Sequence, residues 1–166
     1  MIKLKLATEE DAEFVFELMQ DKDCKNFIIT KTKTNNIEEQ KKKLRSYLAQ
    51  SKKKNRFYFI GIDKKEKIGI IDIYNINKED KRCSIGYAVN NHYRKKGFGT
   101  KIVKEGLKFI KNKLKIHGCE AITDPINSPS KKILKKLGFK KIGTLKHYRA
   151  YKGKYLDREL YWKILN

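Results

Sequence analysis

The residues Arg94-Lys95-Lys96-Gly97-Phe98-Gly99-Thr100 carry the clearest chemistry in the chain. They follow an apolar, strand-like run from Cys83 to Val89 and open a long amphipathic helical pattern. A strand that passes through a basic, glycine-spaced turn into a helix makes an anion cradle. Glycine lets the backbone approach a phosphate closely, the first helical N–H groups lack partners, and the helix dipole favours negative charge. Two phosphate-binding templates are excluded. The Walker pattern G-x-x-x-x-G-K-[ST] is absent, and a dinucleotide fingerprint needs a third small residue where this chain has Ile102. What remains is R-x-x-G-x-G after a strand.

Metal chemistry has little support. The three cysteines (Cys24, Cys83, Cys119) are odd in number and far apart, and only His117 and Cys119 are near neighbours, so no metal is expected. Cys83 and Cys119 sit in apolar runs and read as small core residues. Unpaired cysteines suit a reducing compartment, and the alternating Met1–Ala7 lacks the continuous apolar core of a signal peptide. No apolar run approaches a membrane span. A soluble, cytoplasmic chain without a membrane partner is expected.

The elements that position the loop follow from periodicity. Ile2, Leu4 and Leu6 alternate with lysines as a first strand. Thr8 then reads as an N-cap, with Phe14, Val15, Leu18 and Met19 at helical spacing behind it. Residues 21–36 read as irregular, and a second helix is expected over Ile37–Gln50. Arg56–Ile62 and Lys67–Tyr74 form a hairpin about Asp63-Lys64-Lys65-Glu66, and Arg82–Val89 makes the next strand. The helix after the basic loop buries Ile102, Val103, Leu107, Ile110 and Leu114, with Gly118 expected to end it. A short strand (Cys119–Thr123), a helix started at Ser128-Pro129 and stopped at Gly138-Phe139, and two strands about Lys152-Gly153 complete the chain. The 166 residues suit one domain, 1–166, with an α/β fold: a mixed, mostly antiparallel central sheet of about seven strands and helices on both faces.

The net charge of +22 points toward polyanions, but 35 of the 41 basic residues are lysines and only six are arginines. Specific phosphate and base recognition favours arginine. Lysines spread along the whole chain read as a lysine-coated surface, with proximity to the ribosome or another polyanion as the functional alternative.

The basic loop resembles the pyrophosphate loop of the GNAT superfamily of acetyl-CoA-dependent N-acetyltransferases. Asn127-Ser128-Pro129-Ser130 followed by Lys136-Leu137-Gly138-Phe139 is similar to the N-x-x-S…K-L-G-F signature of that family's second cofactor motif. The ending Gly143-Thr144-Leu145…Gly153-Lys154-Tyr155-Leu156-Asp157 is similar to the branch containing Rim-type ribosomal-protein N-terminal acetyltransferases and spermidine acetyltransferases. The element order agrees over nearly the whole chain. The resemblance implies a single N-acetyltransferase domain that binds acetyl-CoA between the strand ending at Val89 and the strand beginning at Cys119. Backbone groups of Tyr87, Ala88 and Val89 would hold the pantetheine arm and polarise the thioester carbonyl. The loop from Arg94 through Lys95, Lys96, Gly97, Phe98 and Gly99 to Thr100 would bind the pyrophosphate. Asn127 would bond the pantetheine, and Ser130 would both meet the cofactor and give a proton to the departing thiolate.

The departures from the family pattern are as informative. Leu134 stands where many members have a tyrosine acid, which agrees with the serine variant. Ser84 stands where related sequences often have a glutamate base. From sequence, Asp72 is the replacement candidate, since a carboxylate in an apolar strand is expensive to bury unless paired or functional. Asp124 is a weaker one. A lysine-like amine is neutral about once in 2,500 molecules at pH 7 and a peptide α-amine roughly a tenth of the time, so loss of the usual base favours a protein or peptide N-terminus as acceptor. Polyamines and other small amines are the alternative, with Asp21, Asp23, Glu38 and Glu39 near the segment that covers the acceptor site in relatives. Phe27, Ile28, Ile29, Tyr148, Tyr151 and Tyr155 are expected on the acceptor side. A homodimer through the closing hairpin, and a non-catalytic RNA- or protein-binding domain, are the remaining expectations.

Overall fold

The computed structural model describes residues 2–27 and 34–165; Ile28 and Ile29, expected on the acceptor side, lie outside the described residues. The alternating N-terminus forms β1 (Lys3–Leu6). After a short 3-10 turn, in which Asp11 accepts the Thr8 N–H at 3.0 Å, come α1 (Ala12–Gln20) and α2 (Lys22–Phe27). α3 spans Ile37–Lys52 and is N-capped by Asn36, whose side chain accepts from the Glu39 N–H. β2 (Phe57–Asp63), β3 (Glu66–Asn77) and β4 (Arg82–Val89) follow as a meander. Then come α4 (Phe98–Phe109), β5 (Gly118–Thr123), α5 (Ser128–Lys136), β6 (Lys140–Tyr151) and β7 (Lys154–Ile164).

The seven strands make one sheet in the order β1-β2-β3-β4-β5-β7-β6, antiparallel everywhere except between β4 and β5. Alternation along each strand sends its side chains to two cores. Ile71, Ile73, Cys83, Ile85, Cys119 and Ala121 pack beneath α4 and α5 with Ile102, Val103 and Leu134. Ile60, Ile70 and Ala88 face the other way, against Val15, Leu18 and Leu44 of α1 and α3. Each such fully buried aliphatic contributes about 1.5–3 kcal/mol.

Two local expectations change. The segment read as irregular contains α2, because Asp21 accepts the N–H groups of Asp23 (3.0 Å) and Cys24 (3.2 Å) and so caps a helix. The long helix does not stop at Gly118. It loosens into a π-helical turn over Ile110–Leu114 and ends at left-handed Lys115 (φ 57°). Gly118 instead starts β5 beneath Trp162, where a Cβ would lie 2.2 Å from the indole ring.

Candidate active site

The parallel ladder joins Arg82–Ile85 to Gly118–Ala121 and then stops, while β3 stays paired with β4 as far as Val89. From Gly86 onward, the β5-facing backbone edge of β4 is therefore open in the middle of the sheet. A cavity of about 420 Å³ lies there. Of the residues expected to bind cofactor, Tyr87, Ala88, Val89, Arg94, Lys95, Gly97, Phe98, Gly99, Thr100, Asn127 and Ser130 line it. Lys96 does not; its ammonium donates to the His92 carbonyl at 3.0 Å.

Gly97 sets the loop. Its φ of 77° is left-handed, and a Cβ there would meet nothing within 4 Å, so the backbone is bare toward the cavity. No side chain caps α4, which leaves its first N–H groups to whatever enters. Bare backbone, free N–H donors and surrounding lysines fit the pyrophosphate of a coenzyme. At Gly99 a Cβ would lie 2.7 Å from Ile133 Cδ1, so this glycine allows α5 to approach α4.

Arg94 is turned away from the loop. Its Nε donates to the Val89 carbonyl (3.0 Å), Nη1 to Asp23 (2.7 Å) and Nη2 to Asp21 (2.6 Å). Burial alone would raise the Asp21 carboxyl; the hydrogen bond from Arg94 and the backbone N–H of Cys24 outweigh it and hold it low. The arginine thus ties the end of β4 to α2.

A second cavity, of about 430 Å³, occupies the α1–α3 side of the sheet. The two cavities meet at Phe27, Tyr87, Asn127 and Ser130. Asn127 is the N-cap of α5, its Oδ1 accepting the Ser130 N–H at 3.1 Å, which fixes where Ser130 stands. Ser130 Oγ lies 2.8 Å from Tyr87 Oη. Burial pushes the Tyr87 phenol up to about 12, so it stays protonated.

The second cavity is aromatic and charged. Tyr47, Tyr58, Tyr74 and Tyr148 line it together with Lys43, Arg56 and Asp72. Irregularities in the β6–β7 pairing after Leu145, with His147 left-handed (φ 51°), accompany the placement of Tyr148 on the cavity. Asp72 forms a two-pronged ion pair with Arg56, whose guanidinium also lies 3.7 Å from the centre of the Tyr47 ring. Burial raises the Asp72 carboxyl and Arg56 pulls it back down, leaving it above the ordinary value. Asp124 is bound by the fully buried Arg158 (2.7 Å) and accepts the Ile126 N–H, so it pins the β5–α5 connection. The four acids considered for a polycation are also engaged: Asp21 and Asp23 with Arg94, Glu38 with Lys41, and Glu39 with Asn35. Tyr151 and Tyr155 do not line the cavity.

Three residues escaped the sequence. Tyr47 and Arg56 carried no motif. Glu120, in β5, is in register with Ser84 and accepts its hydroxyl proton at 2.5 Å. Among the described residues, no group of three His, Cys, Asp or Glu side chains is placed to hold a metal, and no helix is long and apolar enough to cross a membrane.

The family model described as an acetyltransferase (GNAT) domain matches residues 2–140. The chain is 34% identical over 103 residues to the uncharacterized N-acetyltransferase p20 of Bacillus licheniformis, covering 62% of this chain and 58% of p20. It is 29% identical over 112 residues to the ribosomal protein uS5-alanine N-acetyltransferase of Escherichia coli (strain K12), covering 66% of this chain and 58% of that enzyme. The chain therefore spans less than two thirds of the length of these two curated relatives. In fold it is similar to the ribosomal L7/L12 α-N-protein acetyltransferase RimL in complex with coenzyme A, with a TM-score of 0.90 at 16% identity over 99% of this chain and 94% of that one.

Proposed function

The chain belongs to the GNAT acetyltransferase family, and from that membership we propose that it transfers an acetyl group from acetyl-CoA to the α-amine of a protein or peptide N-terminus. One observation carries the proposal: the cavity under the basic loop and the cavity on the α1–α3 side share Tyr87 and Ser130 in their walls. A cofactor held along the open edge of β4 presents its thioester at that junction, and an amine in the second cavity meets it there. Orientation of the two reactants supplies much of the rate.

In the transfer, the amine nitrogen forms the C–N bond and gives up a proton toward solvent, the C–S bond breaks, and the thiolate takes a proton from Ser130, which solvent later replaces. The backbone N–H groups near Val89 stabilise the carbonyl oxygen as charge develops. Asp72 is held by Arg56 and serves as a wall that fixes the acceptor, in place of the base role considered from sequence. Asp124 likewise holds a loop. The whole chain acts as one catalytic domain, and its three buried, unpaired cysteines support a reducing cytoplasm.

Charge supports this acceptor. A polycation needs uncommitted carboxylates, whereas the second cavity pairs its Asp72 with Arg56 and adds Lys43. The uS5-alanine N-acetyltransferase relative acts, by its name, on an alanine of ribosomal protein uS5. A neutral-to-cationic aromatic cavity suits a single uncrowded α-amine better than spermidine. Free-thiol release from acetyl-CoA tests this across peptides with free N-termini, N-blocked lysine peptides, spermidine and an aminoglycoside. Turnover on free N-termini is expected; turnover on spermidine alone would reverse the acceptor assignment.

A further inference from the structure

Ser84, Tyr74 and Glu120 form one row across the sheet: Tyr74 on β3 is in register with Ser84 on β4, and Ser84 with Glu120 on β5. All three point to the α1–α3 side, opposite Cys83, Ile85, Cys119 and Ala121. The next row contains Asp72 and Gly86, both on the wall of the acceptor cavity. The two rows are two residues apart, about 7 Å along a strand. Gly86 carries no side chain to separate them.

A β-bulge sharpens this arrangement. The β3–β4 register shifts between Tyr74 and Asn77, and Asn75 is left-handed (φ 50°). Bulges re-aim side chains beside functional sites. Here Asn75 lines the cavity and directs its Nδ2 to Ser84 Oγ at 3.4 Å, while Ser84 donates to Glu120 Oε1 at 2.5 Å. Ser84 is only 2% exposed, whereas Glu120 is partly exposed. Among the described residues, none of the ion pairs includes Glu120. Its titratable neighbours are Tyr74 on β3 and the buried Cys119 on its own strand.

We propose that Glu120 is the terminal proton acceptor for the attacking amine and is reached through the Ser84 hydroxyl. The inference rests on the acetyl transfer proposed above. As the C–N bond forms, the ammonium proton passes over a bridging water to Ser84 Oγ, and the proton that Ser84 already shares moves to Glu120. The C–S bond breaks with protonation of sulfur by Ser130; Glu120 then releases its proton to solvent, and solvent returns one to Ser130 by way of the Tyr87 hydroxyl 2.8 Å away. The carboxylate missing from β4 is thus supplied by the neighbouring strand. Ser84 keeps one lone pair for this step, since a hydroxyl has two and Asn75 uses one.

The test compares wild type, Glu120→Gln and Ser84→Ala in thiol release with a free-N-terminus peptide between pH 6 and 9. Glu120→Gln is expected to lower kcat/KM about 100-fold at pH 7, the lower end of what a positioned proton acceptor contributes. Its rate should then climb about tenfold per pH unit until the α-amine loses its own proton near pH 8, while wild type levels off earlier. Ser84→Ala should show the same changed profile although it leaves the carboxylate in place. Both variants should keep the melting temperature and its rise with acetyl-CoA. A wild type silent on every amine overturns the transferase assignment and this inference with it. An active wild type whose two variants keep both rate and pH profile overturns the inference alone.

Discussion

The Tyr87 hydroxyl stands 2.8 Å from the Ser130 hydroxyl, and the two residues come from opposite sides of the cofactor cleft. With its phenol pushed up to about 12 by burial, Tyr87 keeps its proton and, in the proposed transfer, can relay one from solvent to Ser130. Ser130→Ala should lower kcat about 100-fold while leaving KM for acetyl-CoA nearly unchanged. Tyr87→Phe should lower kcat less, because Ser130 still has a proton to give. Steady-state kinetics of the two variants decide this; equal losses would mean that the phenol itself is the donor.

Gly97 is required for two separable reasons. An alanine at φ 77° carries about 1–2 kcal/mol of backbone strain, and its methyl group would occupy the bare face where a pyrophosphate is expected to lie. Gly97→Ala should lower the melting temperature by a few degrees and raise KM for acetyl-CoA more than tenfold. Gly153, also left-handed (φ 71°) with open space about it, provides the control. Gly153→Ala should show the strain alone.

The basic loop was legible because its chemistry is local: glycine spacing, charge and the helix start all lie within seven residues. The element order was legible for the same reason, since each strand and helix shows its own period. Gly118 misled because it sits near a helix end, whereas its neighbour is Trp162, far along the chain. α2 was missed because Cys24 is its only buried apolar side chain among the described residues and its cap, Asp21, reads equally well as a loop acid. The Ser84–Glu120 bond could not be read at all. It depends on the register of two parallel strands joined by a crossover, and register is a property of the assembled sheet.

The Arg56–Asp72 pair allows a structural role for Asp72 to be told from a catalytic one. Both side chains are largely buried, so neutralising one leaves the other uncompensated, at about 3 kcal/mol. Asp72→Asn should therefore unfold at lower denaturant and raise the acceptor KM, with the shape of the pH–rate profile unchanged. Denaturant melts and the profile are both needed. A collapse of kcat at full stability would make Asp72 the base.

Arg94 links the cofactor loop to the acceptor side by holding Asp21, Asp23 and the Val89 carbonyl together. Arg94→Met keeps much of the side-chain volume and removes all three bonds. Amide exchange in α2 should accelerate, and KM for the peptide should rise together with KM for acetyl-CoA. A rise in the acetyl-CoA value alone would show that the guanidinium acts on phosphate directly.

Asp11 makes acid stability predictable. It is fully buried, and it accepts from Lys67 (2.8 Å), from Lys5 (3.0 Å) and from the Thr8 N–H (3.0 Å). Burial by itself would raise its carboxyl, but these three donors prevail and hold it below the ordinary carboxylate value. A carboxyl lowered on folding stabilises the fold at every pH above its unfolded value, about 3.9, and that contribution is lost as pH falls through the lower folded value. Asp11→Asn should lose about 2–3 kcal/mol at pH 7, where it leaves two lysines facing a neutral amide. The gap to wild type should narrow as pH drops below about 4, where the unfolded carboxyl takes up its proton first, and close once pH passes the lower folded value and the native carboxyl is neutral too. Urea melts at pH 7 and pH 3 measure the gap directly. A difference that persists undiminished at pH 3 would assign the loss to packing around the side chain and leave its charge without a role in stability.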